Sequence, residues 1–139
     1  MANAPKRLGT QHETHIVNWL KAHGWPWSHR RTQKGSADEG DICLSERIPF
    51  TIEAKASKST TDRAAIGTWI RELEAEVAAV GDDAGVVIHK RRGTTDVGEY
   101  VAIMPVKYLN HLLTAAYGEQ QNSARDNPKR RRSIPRSAV

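Results

Sequence analysis

From Asp62 to Val80 the apolar residues Ile66, Trp69, Ile70, Leu73, Val77 and Val80 recur at helical spacing, and Arg71, Glu72, Glu74 and Glu76 fall on the other side. This is the most regular stretch of the chain, and short β-rich runs surround it. Phe50 to Ala56 reads as a strand before the helix, and Gly85 to His89 and Tyr100 to Met104 as strands after it. Upstream, Trp27 to Gln33 and Asp41 to Leu44 read as two more strands, separated by the small and polar loop from Lys34 to Gly40. A turn containing Pro49 joins the second strand to the third. Thr10 to Ala22 reads as an opening helix with Ile16, Val17 and Leu20 on one stripe; Gly24 ends it and Pro26 blocks continuation. Val106 to Tyr117 reads as a closing amphipathic helix. The order α-β-β-β-α-β-β-α predicts an α/β fold, a mixed five-stranded sheet flanked by helices.

A chain of 139 residues suits one folded domain, expected over residues 1–117. Beyond Tyr117 the apolar pattern stops, and residues 118–139 read as a basic, disordered tail. There is no internal repeat. No apolar run is long enough to span a bilayer, and the basic N-terminal residues Lys6 and Arg7 are not followed by an apolar stretch, so neither a membrane span nor a secretory signal is expected. An intracellular protein is the expectation. The lone Cys43 has no second cysteine for a disulfide or a zinc motif and reads as a small buried apolar residue. His12, His15, His23, His29, His89 and His111 show no metal-binding spacing, and each reads as a surface or packing residue. The formal charge of +5 suggests a polyanionic partner, but the tail alone holds six basic residues against Glu119 and Asp126, which leaves it +4 of that excess. A nucleic-acid surface on the body therefore needs segregated charge.

The chemistry-bearing residues lie on the strands. Alternation in an extended strand puts Thr51, Glu53 and Lys55 on one face and Phe50, Ile52 and Ala54 on the other. Asp41 opens the preceding strand after the glycine-containing loop, so pairing of the two strands would bring a second carboxylate to the same face. Glu13 falls in the middle of the stripe of Ile16, Val17 and Leu20, where a buried carboxylate needs a cation or a metal, a partner expected from the Asp41, Glu53 and Lys55 cluster. Carboxylate oxygens suit a hard divalent cation such as Mg²⁺, with Mn²⁺ as a substitute. Phosphodiester hydrolysis needs such a metal together with a cation to orient water or offset developing charge. Lys55, beside carboxylates, is expected to stay protonated and fill the second role.

Gly40-Asp41-Ile42 followed by Ile52-Glu53-Ala54-Lys55 resembles the signature of the PD-(D/E)xK nucleases, with glycine where proline is common. Gly9-Thr10 with Glu13, Gly35-Ser36 before Asp41, and His89-Lys90-Arg91-Arg92-Gly93 narrow the resemblance to Holliday junction resolvases of the archaeal and tailed-phage type. The resemblance spans roughly Leu8 to Met104. It implies a restriction-endonuclease-like core and a Mg²⁺-dependent homodimer that nicks two opposed strands of a four-way DNA junction, with Asp41, Glu53 and the carbonyl of Ala54 on the metal. It also implies that Glu13 is an accessory acidic ligand of the metal, that Ser36 is a loop residue near the scissile phosphate, and that there is no small-molecule cofactor.

Arg30, Arg31, Lys34, Lys58, Arg63, Lys90, Arg91 and Arg92 border the acidic cluster in this topology and are candidates for phosphate contacts. Trp19, Trp25, Trp27 and Trp69 are expected in core or dimer packing rather than stacked on bases. Two other readings stay open: a duplex, flap or single-strand nuclease on the same fold, and a non-catalytic nucleic-acid-binding protein that relies on its basic tail.

Overall fold

The computed structural model describes residues 4–31, 42–56 and 63–126. The elements run α1 (Ala4–Ala22), β1 (His29–Arg30), β2 (Ile42–Cys43), β3 (Phe50–Lys55), α2 (Arg63–Val80), β4 (Ala84–His89), a 3₁₀ turn (Val97–Glu99), β5 (Val101–Ile103) and α3 (Val106–Asp126). The fold is α/β, as the sequence predicts. Its five strands lie in the order β1-β2-β3-β4-β5. Only β3 and β4 pair in parallel, because α2 carries the chain back across the sheet between them; the other three pairs are antiparallel.

Strand alternation sorts the side chains into two layers. Ile42 and Ile52, which pair directly, join Val86 and the α1 stripe of Ile16, Val17 and Leu20 in one core cluster. On the other face, Trp69, Leu73 and Val77 of α2 pack with Val87 and Tyr108. Thr51 belongs to that second face, its hydroxyl donating to Asp82 Oδ2 at 2.7 Å just beyond the end of α2. Gly85 permits the close approach of α2: a Cβ at this position would stand 2.8 Å from the Thr51 carbonyl oxygen and 2.9 Å from methyl carbons of both Leu73 and Val77.

Three boundaries differ from the sequence reading, each for a local reason. Helix α1 starts at Ala4, where Pro5 fits the first turn and Gly9 does not stop a helix already under way. Among the described residues the first strand covers His29–Arg30 and starts later than residue 27, since the chain before it turns, with Ser28 N donating to Trp25 O at 3.1 Å; residues 32–33 of the expected strand lie outside the described residues. Helix α3 runs on to Asp126, because no helix breaker follows Gly118 until Pro128. By internal contacts the chain divides into one unit up to Tyr108 and a second from Leu109. No helix among the described residues is long and apolar enough to cross a membrane.

His12 is buried under the β4–β5 end of the sheet, its Nε2 donating to Ile88 O at 3.2 Å. Its Nδ1 is buried with no hydrogen-bond partner among the described residues, so a second ring proton would be stranded. Burial pushes the pKa below the ordinary histidine value; the bond to Ile88 opposes this, while Lys90, His89 and His15 reinforce it. A depressed folded-state pKa means that below about pH 6.5 the unfolded chain binds a proton that the folded chain refuses. Stability is therefore expected to fall as pH drops through that value, and to level off below the folded pKa. His12→Gln keeps a donor for Ile88 and should flatten the change in Tm between pH 7.5 and 5.5. An unchanged slope would rule out His12 as its source.

Candidate active site

Glu53 and Lys55 leave β3 on the face that α2 covers. Glu53 is only 5% exposed, near the middle of the sheet, beside Val87 in the parallel register. Lys55 reaches outward, and its Nζ donates to Glu72 Oε2 at 2.9 Å. Both partners of that ion pair are partly solvated, so its worth in stability is under about 1 kcal/mol and its consequence is positional. It holds the ammonium on the face that carries Glu53.

The same corner gathers groups that sequence order keeps apart. His89 is Lys55's partner in the β3–β4 register, is 1% exposed, and stacks on Trp69 of α2 with ring centroids 5.1 Å apart. Further along α2, Glu76, one turn beyond Glu72, is also buried. Lys90 N donates to Lys55 O at 2.9 Å, so the basic turn Lys90-Arg91-Arg92 leaves β4 directly beside the end of β3. Gly93 bends that turn with φ of +85°. Lys90, Arg91 and Arg92 are all exposed, and Arg91 lies 3.9 Å from Glu99 in a solvent-exposed pair.

The remaining expected residues are distributed differently. Glu13 is half-buried on α1, the opposite side of the sheet from the Lys55–Glu72 pair, and accepts from Arg30 Nε at 2.7 Å. The cation that a covered carboxylate requires is thus present in β1. Ala54 sits between Glu53 and Lys55, with its side chain against the α1 cluster. Arg31 follows β1 and is partly covered, and Arg63 opens α2. Ser36, Lys34, Asp41 and Lys58 lie outside the described residues, as does the side chain of Arg63. Among the tryptophans, Trp69 is core, whereas Trp25 and Trp27 are exposed.

Glu72, Glu76 and His89 were not singled out as site residues by sequence reasoning. Glu72 and Glu76 read as the solvated side of α2, and nothing in their spacing marks them. His89 carried one usable signal, its place at the end of a strand just before a basic run.

What the arrangement offers chemically is a buried carboxylate, a lysine held by ion pairing on the same face, and a cationic turn at the rim. Comparison with known protein families, curated proteins and solved structures finds no match.

Proposed function

We propose that this chain is a metal-dependent, structure-selective DNA endonuclease, in first place a Holliday junction resolvase that acts inside the cell as a homodimer. The observation that carries the reading is the shared face of Glu53 and Lys55 at the end of β3, beside the basic turn Lys90–Arg92. Asp41 enters through connectivity. It immediately precedes Ile42, Ile42 pairs with Ile52, and Glu53 immediately follows Ile52 in the antiparallel partner strand. The two acidic positions are each one residue from the same cross-strand pair.

The donor set suits a hard cation, since a buried glutamate supplies the oxygen ligand that Mg²⁺ or Mn²⁺ prefers. Asp41, Glu53 and the carbonyl of Ala54 are the proposed ligands. When bound, the metal supplies polarisation of the phosphoryl group and a more acidic water. The chain's own groups do the rest. Lys55, paired with Glu72, stays an ammonium that offsets charge developing on the phosphate and positions the attacking water. Lys90, Arg91 and Arg92 hold the phosphate backbone, with Lys34, Lys58 and Arg63 as further candidates, and Ser36 is the proposed loop residue for the scissile phosphate. The Glu13–Arg30 pair favours a positional role for Glu13, which holds Arg30 on β1, over direct metal ligation. Two opposed incisions in a four-way junction need two such sites, which is the reason for a homodimer.

The test is incubation with Mg²⁺ and matched four-way, flap and linear DNA. Preferential cutting of the four-way junction is expected. Equal cutting of all three would remove junction selectivity and leave a general nuclease. No cutting of any would leave a basic nucleic-acid-binding protein.

A further inference from the structure

Cys43 is buried at 3% exposure, yet what lies beside it is polar. It pairs directly with His29 across the β1–β2 ladder, which puts the two side chains on one face of neighbouring strands. Glu46 follows in the tight turn after β2, closed by Ile48 N donating to Ser45 O at 3.0 Å. The sulfur of Cys43, a ring nitrogen of His29 and a carboxylate oxygen of Glu46 all lie within 4.8 Å of one another. The three residues line a cavity of about 790 Å³.

The orientation of His29 is informative. Its Nδ1 stands 3.1 Å from the carbonyl oxygen of Trp27, and a carbonyl only accepts, so Nδ1 carries the hydrogen. Nε2 then faces Glu46 Oε1 at 3.5 Å, a separation that a second ring proton or a shared metal ion can bridge. Two nitrogen or oxygen ligands on a tetrahedral zinc stand about 3.4 Å apart, so this edge of a metal polyhedron is already close to its working length.

We propose that His29, Cys43 and Glu46 form a metal site of the zinc class. On binding, Cys43 gives its thiol proton to solvent and ligates as thiolate. The thiolate and carboxylate together neutralise a divalent ion, which suits a cavity that Arg30, Arg31 and Arg47 also line. A soft sulfur and an imidazole select zinc over magnesium, so this site is separate in chemistry from the carboxylate site on β3. Its effect is to clip an edge strand to the sheet. Among the described residues β1 and β2 share two residue pairs, and a metal bridging His29, Cys43 and the following turn ties all three segments together.

The experiment titrates Co²⁺, as a coloured stand-in for zinc, into the full chain freed of metal. A thiolate-to-cobalt charge-transfer band in the near ultraviolet is expected, displaced by Zn²⁺ and untouched by excess Mg²⁺. Cys43→Ser should abolish the band, and His29→Ala and Glu46→Gln should each weaken Co²⁺ binding at least about tenfold. Zn²⁺ should raise the Tm of the wild-type chain and not that of His29→Ala. Should Cys43→Ser fail to fold, His29→Ala, at an exposed edge, decides the matter once circular dichroism shows it folded. No thiolate band in the wild-type chain, or Co²⁺ affinity unchanged in His29→Ala, overturns the proposal and leaves an ordinary His29–Glu46 ion pair.

Discussion

Gly85→Ala is expected to destabilise the protein by about 2 kcal/mol, and Gly85→Val by more. The added Cβ would meet the Thr51 carbonyl oxygen at 2.8 Å, and that oxygen belongs to the backbone of the central strand. It cannot swing aside as a side chain can. The methyl groups of Leu73 and Val77 close the other sides at 2.9 Å, so relief requires α2 to lift away from the sheet. Gly67, inside α2, makes the contrast. Among the described residues a Cβ there meets the flexible end of Arg71 at 3.7 Å, and Gly67→Ala should stabilise by up to about 1 kcal/mol through helix propensity. Thermal unfolding of both variants checks the account: Tm should fall by roughly 4–8 °C for Gly85→Ala and rise for Gly67→Ala. Equal shifts of the same sign would show that the approach of α2 to β4 is looser than these distances indicate.

Asp41→Asn, Glu53→Gln and Lys55→Ala should each reduce DNA cleavage at least about a hundredfold while junction binding is retained or tightened. The asymmetry between cutting and binding follows from charge. Removing a carboxylate weakens the hold on a catalytic cation, yet it also removes repulsion toward phosphate, so affinity for DNA does not suffer. Lys55→Ala removes an ammonium held by Glu72, and its binding loss should be small beside the contributions of Lys90, Arg91 and Arg92. Circular dichroism must show each variant folded. Parallel loss of cutting and binding in all three would instead assign these residues to the fold.

The parts of the molecule that local pattern controls were legible in the sequence. Period-two alternation placed Glu53 and Lys55 on one face, and helical spacing identified α2 and the stripe of Ile16, Val17 and Leu20. Contacts made by tertiary packing were not. Glu72 reaches Lys55 because α2 crosses that face of the sheet, and His89 lies beside Lys55 because β3 and β4 pair in parallel; neither relation leaves a spacing in the chain. The helical stripe pointed Glu13 toward the Asp41, Glu53 and Lys55 cluster, whereas the structure pairs it with Arg30, supplied by a strand too short for sequence to bound. Cys43 shows the same limit from the other side. With no second cysteine it carried no metal signal, and only the β1–β2 register and the following turn bring His29 and Glu46 to its sulfur.

We propose the Glu53–Lys55 face as a metal-dependent site for cutting branched DNA. Its most direct test is a single-turnover assay on an end-labelled four-way junction, with wild-type protein and Glu53→Gln compared in Mg²⁺ and in a chelator. Paired, symmetric nicks are expected from the wild-type protein in Mg²⁺ alone, and none from Glu53→Gln. Nicking that survives the chelator, or that Glu53→Gln carries out at the wild-type rate, would contradict it.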